Sequence, residues 1–206
     1  MKQILIFLCL ITSAFSLISQ PFAPTYGSKL KYKVWRVTPS GAEEYLLKVT
    51  ILDFQPPFGE NRIEFDFSTS EKHPVQGKII MKPKAVAKGK YDNRDFVAGE
   101  KIFADQTALW ISRSMYQSLV GSGFFLWGEK GNMKYDKPEE AKYPLKFNDL
   151  ATEWAVTNVS WEKSRTVFKM AILNDANNPL IVSFDSKDVN NNVYKIRLVE
   201  ASMIKE

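Results

Sequence analysis

Asn61-Arg62-Ile63-Glu64-Phe65-Asp66-Phe67 sets Ile63, Phe65 and Phe67 at alternate positions, with Arg62, Glu64 and Asp66 between them. In an extended chain successive side chains point to opposite faces, so this stretch has one apolar side and one charged side. It reads as a half-buried strand of an antiparallel sheet whose other face meets water. Tyr45, Leu47, Val49 and Ile51 repeat the pattern, and so do Tyr194, Ile196 and Leu198 against Lys195 and Arg197.

Turn residues separate these runs. Thr38-Pro39-Ser40-Gly41 divides Leu30–Val37 from Tyr45–Phe54, and Gln55-Pro56-Pro57-Phe58-Gly59 precedes Ile63–Ser68. Asp175-Ala176-Asn177-Asn178-Pro179 divides Thr166–Leu173 from Leu180–Phe184, and Asp188-Val189-Asn190-Asn191-Asn192 leads into the last run. Pro fixes φ, Gly and Asn accept positive φ, and Asp bonds its own backbone, so each cluster has a mechanism for turning the chain. Further strands are expected at Lys78–Met81, Lys101–Ala104, Phe124–Trp127, Tyr143–Phe147 and Trp154–Trp161. The sum predicts a mainly β fold, a curled antiparallel sheet or open barrel, with a sandwich as the other way to bury that many strands. Thr107–Ile111 reads as one more strand, followed by a short helix Arg113–Val120 laid against the sheet, with Ser112 as N-cap and Gly121 as its stop.

The chain of 206 residues is 45% hydrophobic, 13% aromatic and 25% charged, which excludes a disordered tail, a collagen-like fibre and a polytopic membrane protein. Met1-Lys2-Gln3, the apolar run Ile4–Ile11 and the small polar residues after it have the layout of a secretory signal peptide. Residues 1–19 are expected to be that signal and 20–206 a single β-rich domain exported to the periplasm or beyond it, with cleavage after Ser19 preferred over cleavage after Ser16. The apolar run is too short for a membrane-spanning helix of roughly 20 residues, so no transmembrane span is expected in the mature chain. Cys9, the one cysteine, would leave with the signal, and no lipidation cysteine stands at the cut. The mature chain then has no thiolate nucleophile and no disulfide.

Chemical signatures are sparse. His73 is the one histidine and sits in the polar stretch Ser70–Pro74, so neither a triad nor a histidine metal site is expected. Glu64 and Asp66 have the spacing of a glycosidase pair but alternate with apolar residues and should face water. Asp188, Asn190 and Asn192 begin like a calcium loop, yet Val193 and Val199 stand where a Gly and a bidentate Glu are needed. Lys78, Lys82, Lys84, Lys88 and Lys90 are interrupted by Pro83 and Gly89 and read as a solvated strand edge or loop, not as a nucleic-acid face. No catalytic residue, cofactor or metal is assigned. Aromatic residues are the one excess, with five Trp, fourteen Phe and eight Tyr. Most belong in the core or in cross-strand pairs. Trp110, Phe124, Phe125 and Trp127 bracket the expected helix and are the candidates for a ligand-binding pocket between helix and sheet.

Gly27-Ser28-Lys29-Leu30-Lys31-Tyr32-Lys33-Val34, Leu109-Trp110-Ile111-Ser112-Arg113-Ser114-Met115-Tyr116 and Tyr143-Pro144-Leu145-Lys146-Phe147 follow the signal in that order. The arrangement resembles exported bacterial envelope proteins of the TapB-like kind, whose curved sheets are similar to the LolA/LolB lipoprotein carriers. That resemblance implies a half-open barrel holding acyl chains under a helical lid, and hence a non-enzymatic protein binding a lipid or other apolar small molecule. The absent lipidation cysteine departs from it, and it transfers no catalytic residue. The alternative is a binding or assembly module for surface polysaccharide or a partner protein, by aromatic stacking or strand addition.

Overall fold

The computed structural model describes residues 22–70, 74–128 and 133–204. The expected signal peptide, Cys9 and His73 lie outside the described residues. Strands β1 (Lys29–Thr38), β2 (Gly41–Phe54), β3 (Ile63–Thr69) and β4 (Gln76–Met81) are followed by helix α1 (Pro83–Lys88) and strand β5 (Gly99–Phe103). Helix α2 (Arg113–Ser122) precedes β6 (Phe125–Trp127), β7 (Met133–Phe147), β8 (Leu150–Lys163), β9 (Thr166–Leu173), β10 (Ile181–Lys187) and β11 (Val193–Ser202). All eleven strands form one sheet in the order β5-β4-β3-β2-β1-β11-β10-β9-β8-β7-β6.

The fold is mainly β, with a sheet that curls into a partial ring. β11 meets β10 through Val193–Arg197, and the end of β7 reaches the same strand at Glu200 and Ala201, so β7 to β11 close on themselves. Tyr143 sits at the junction and donates its hydroxyl to the Leu198 carbonyl at 3.0 Å, between the two pairings. The sheet is mixed and not wholly antiparallel: β4–β5 and β7–β11 run parallel. Parallel neighbours need a crossover, and α1 with the segment after it supplies the one between β4 and β5.

The alternating residues behave as their pattern requires. Ile63, Phe65 and Phe67 pack beneath the sheet with Tyr32, Val34, Leu47, Val49 and Ile51. On the opposite face Glu64 lies between Lys78 at 3.0 Å and Arg62 at 3.4 Å, and Asp66 is exposed. Lys31 pairs there with Glu200.

Three local expectations change. The lysine stretch contains a helix, α1, begun by Pro83 at its first turn and anchored by buried Ala85 and Val86. Six residues are too few to show a 3.6-residue period, so Pro83 reads as a loop in sequence. Thr107–Ile111 is not a strand: Leu109 has φ 64°, and Trp110 makes only an isolated bridge to Leu180. A branched residue in the left-handed region cannot continue a ladder. Helix α2 runs past Gly121 to Ser122 because Gly123, at φ 72°, is the residue that takes the left-handed cap and donates its N–H to the Leu119 carbonyl. Ser112 caps the other end by accepting the Met115 N–H. The helix rests on β6 and α1.

Candidate functional site

After α1 the chain turns inward instead of crossing the surface. Asn93 donates its N–H to the Thr107 carbonyl at 2.7 Å, and Thr107 returns one to Tyr91 at 2.9 Å. This clamp drives the Asp92 side chain into the protein, where none of it is exposed. Asp92 Oδ1 accepts the Leu109 N–H at 2.7 Å, which fixes the positive φ of that residue. Oδ2 is ion-paired with Arg94 Nε. Burial raises the Asp92 pKa against the lowering effect of Arg94 and the Leu109 N–H.

Arg94 is itself largely enclosed. Its guanidinium carbon lies 3.3 Å from the centre of the Phe184 ring and 5.9 Å from that of Trp127. Among the described residues its Nη2 has no acceptor, and the buried hydroxyls of Tyr135 and Tyr194 have no partner. Burial, the larger effect, pushes both phenols well above the usual tyrosine value, and the charge of Arg94 draws each of them back. Both therefore remain protonated donors at neutral pH. Tyr32 is the satisfied contrast, donating its buried hydroxyl to the Ile181 carbonyl at 3.1 Å.

A cavity of about 300 Å³ opens beside Arg94, walled by Asp92, Trp127, Phe168, Phe184 and Tyr194. It occupies the end of the ring where β9 and β11 begin and β1 finishes. The rings form a continuous aromatic row: Trp161 on Phe168, Phe168 on Phe184, and Phe184 on Tyr194, with centres 5.4, 5.8 and 6.4 Å apart. A cation, a tyrosine and aromatic faces are groups that bind and orient a small molecule.

Of the aromatic residues expected at a ligand, Trp127 lines this cavity and is 7% exposed. Phe125 is fully buried behind it, stacked on Tyr135 with ring centres 5.1 Å apart. Phe124 is half-buried with the Lys134 ammonium 4.3 Å above its ring. Trp110 lies elsewhere, against Phe54 and Phe65, and donates its indole N–H to Asn178 at 2.8 Å. Asp92, Arg94, Tyr135 and Tyr194 went unread in the sequence as a site. Tyr91-Asp92-Asn93-Arg94-Asp95 has the composition of an exposed turn, and nothing periodic marks it as inward-facing.

A larger concavity, about 830 Å³, lies over the outer face of β1 to β4, lined by Lys29, Lys31, Lys48, Asp66, Gln76 and Lys78. Among the described residues two of its four lysines are already neutralised, Lys31 by Glu200 and Lys78 by Glu64. Among the described residues Phe67 is the one aromatic residue lining it, and it is buried, so they present no exposed aromatic face to a ligand. The Asp188 carboxylate is spent within its own hairpin, accepting the N–H groups of Asn190 and Asn192 at 2.8 and 2.9 Å.

No protein-family model matches the chain, and no curated protein does. Among solved structures, one described as an exported protein with YmcC-like fold from Bacteroides fragilis superposes with a TM-score of 0.47 at 7% identity, covering 88% of this chain and 98% of the other. A lipoprotein structure from Parabacteroides distasonis gives 0.37 at 10% identity, covering 87% and 97%.

Proposed function

We propose that the chain is an exported, non-enzymatic binding protein that takes a small apolar molecule into the end of its half-open barrel. Residues 1–19 act as the signal peptide, residues 20–206 form one β-rich domain, and the ligand meets Trp127, Phe168 and Tyr194. The observation that carries this reading is the aromatic-walled cavity of about 300 Å³ around Arg94. Ligand pockets begin at roughly this volume, which favours a compact molecule over the acyl chains of a lipid that the LolA/LolB resemblance suggests.

Binding would draw on apolar burial at about 25 cal/mol per Å², less the cost of immobilising the ligand. Titration with 1-naphthol, followed by tryptophan fluorescence and calorimetry, tests it. Saturable binding that Trp127→Ala and Phe168→Ala both weaken supports the assignment. Saturable binding indifferent to both substitutions would place the probe elsewhere. Export is tested separately by fractionating cells and reading the N-terminus of the recovered protein, with Gln20 expected first.

A further inference from the structure

We infer that the ligand of this cavity is a carboxylate carrying a small planar apolar body, its oxygens held by Arg94 and Tyr194. The inference rests on the binding role proposed above and adds the chemical class. The argument begins with an incomplete ion pair. An arginine side edge offers parallel N–H groups that match both oxygens of one carboxylate. The second Asp92 oxygen, Oδ1, is turned to the Leu109 N–H, which it accepts at 2.7 Å. Its Oδ2 meets Nε alone, and Nη2 is left buried without an acceptor among the described residues.

Tyr194 presents the matching deficit. Its hydroxyl is buried and has no partner among the described residues, and the residue lines the same cavity. Buried polar groups in native proteins are nearly always satisfied, so two donors left open around one cavity call for an acceptor. Both are donors, which selects an oxyanion over a cation. Arg36, 4.0 Å from Glu43, and Asp95 also line the cavity, and Asp92 and Arg94 neutralise each other, so the carboxylate is held by the hydrogen bonds of Arg94 and Tyr194. The rest of the wall is aromatic: Trp127, Phe168 and Phe184. A flat apolar body fits such a wall, and the cavity volume limits it to one or two rings.

The test compares 1-naphthoate, 1-naphthamide and 1-naphthol, which share one ring system and differ in charge, by calorimetry on the purified protein. Naphthoate should bind about tenfold or more tightly than the amide. Tyr194→Phe should weaken naphthoate several-fold and leave naphthol unchanged. Arg94→Gln strands the Asp92 carboxylate, so the paired variant Asp92→Asn with Arg94→Gln is run beside it, each checked for native circular dichroism. Both should abolish the preference for the anion. Equal affinity for all three probes, or naphthoate binding indifferent to Tyr194→Phe and to the paired variant, overturns the carboxylate assignment and leaves the apolar-pocket reading standing. Absence of saturable binding by any of the three, which is also the result expected if a buried water completes the donors, overturns both.

Discussion

The Arg94 guanidinium carbon lies 3.3 Å from the centre of the Phe184 ring, so a cation borne by the inward turn after α1 rests on an aromatic residue of β10. This contact joins the loop to the closed part of the sheet. Cation–π contacts contribute about 0.5 kcal/mol when exposed and about 2 when desolvated. A double-mutant cycle between Phe184→Leu and Arg94→Lys, read from urea unfolding, should give a favourable coupling of about 1–2 kcal/mol. Additive effects would show that the loop is held by Asp92 alone.

Asn178 ties the first described residue to the centre of the core. Its carbonyl oxygen accepts the Trp110 indole N–H at 2.8 Å, and its amide donates to the Phe22 carbonyl at 2.7 Å. Asn178→Ala leaves both groups buried without a partner and should cost about 2–4 kcal/mol by urea unfolding. Because Phe22 stacks on Trp154, with ring centres 5.2 Å apart, the near-ultraviolet circular dichroism should change as well.

Gly77 is a position where a side chain has no room. A Cβ there would fall 2.5 Å from the Gly99 carbonyl oxygen and 2.6 Å from Phe67 Cζ. Gly77→Ala must therefore displace either the β4–β5 pairing or the Phe67 ring. Overpacking of this kind costs about 1–3 kcal/mol, and amide exchange in β5 should accelerate more than exchange in β9.

The caps of α2 give a smaller, local effect. Ser112→Ala removes the acceptor for the Met115 N–H, and Gly123→Ala puts a Cβ on a residue at φ 72°. Each should lower stability by about 1 kcal/mol. Native circular dichroism and an unchanged urea midpoint in both variants would mean that packing on β6 and α1 alone fixes the helix.

Tyr143 makes the ring closure sensitive to alkali. Burial pushes its hydroxyl from 10.0 up to about 12, with Arg197 lowering it and Asp185 raising it to smaller extents. The folded state thus favours the neutral phenol more than the unfolded state does. Its contribution is fully present below pH 10 and is lost as pH rises from 10 towards 12. Tyr143→Phe should be the less stable protein at neutral pH, since the Leu198 carbonyl loses its donor, and the gap should narrow above pH 10. A gap constant with pH would place the phenol in water.

The strands were legible because burial on one face writes a two-residue period into the chain, and Ile63, Phe65 and Phe67 needed no tertiary information to be read. β7 was seen only from Tyr143 onward, since Pro138 and the acidic pair after it resemble a turn; the structure absorbs them in a register shift between Asp136 and Glu139. A bulge lets a proline stay in a strand that its local sequence argues against. The candidate site was legible only through Trp127.

By itself, then, the sequence determined most of the strands and their buried faces, because alternation sets which face is buried, while the parallel pairings β4–β5 and β7–β11 were decided by the tertiary structure. Only the tertiary structure decided that Asp92 and Arg94 face inward, that Tyr194 is left with an unused hydroxyl beside them, and that Leu109 bends instead of extending. Those outcomes depend on Leu109, Trp127 and Phe184 converging from distant parts of the chain. Burial of a charge is a property of what surrounds it, and a five-residue polar turn carries no record of its surroundings.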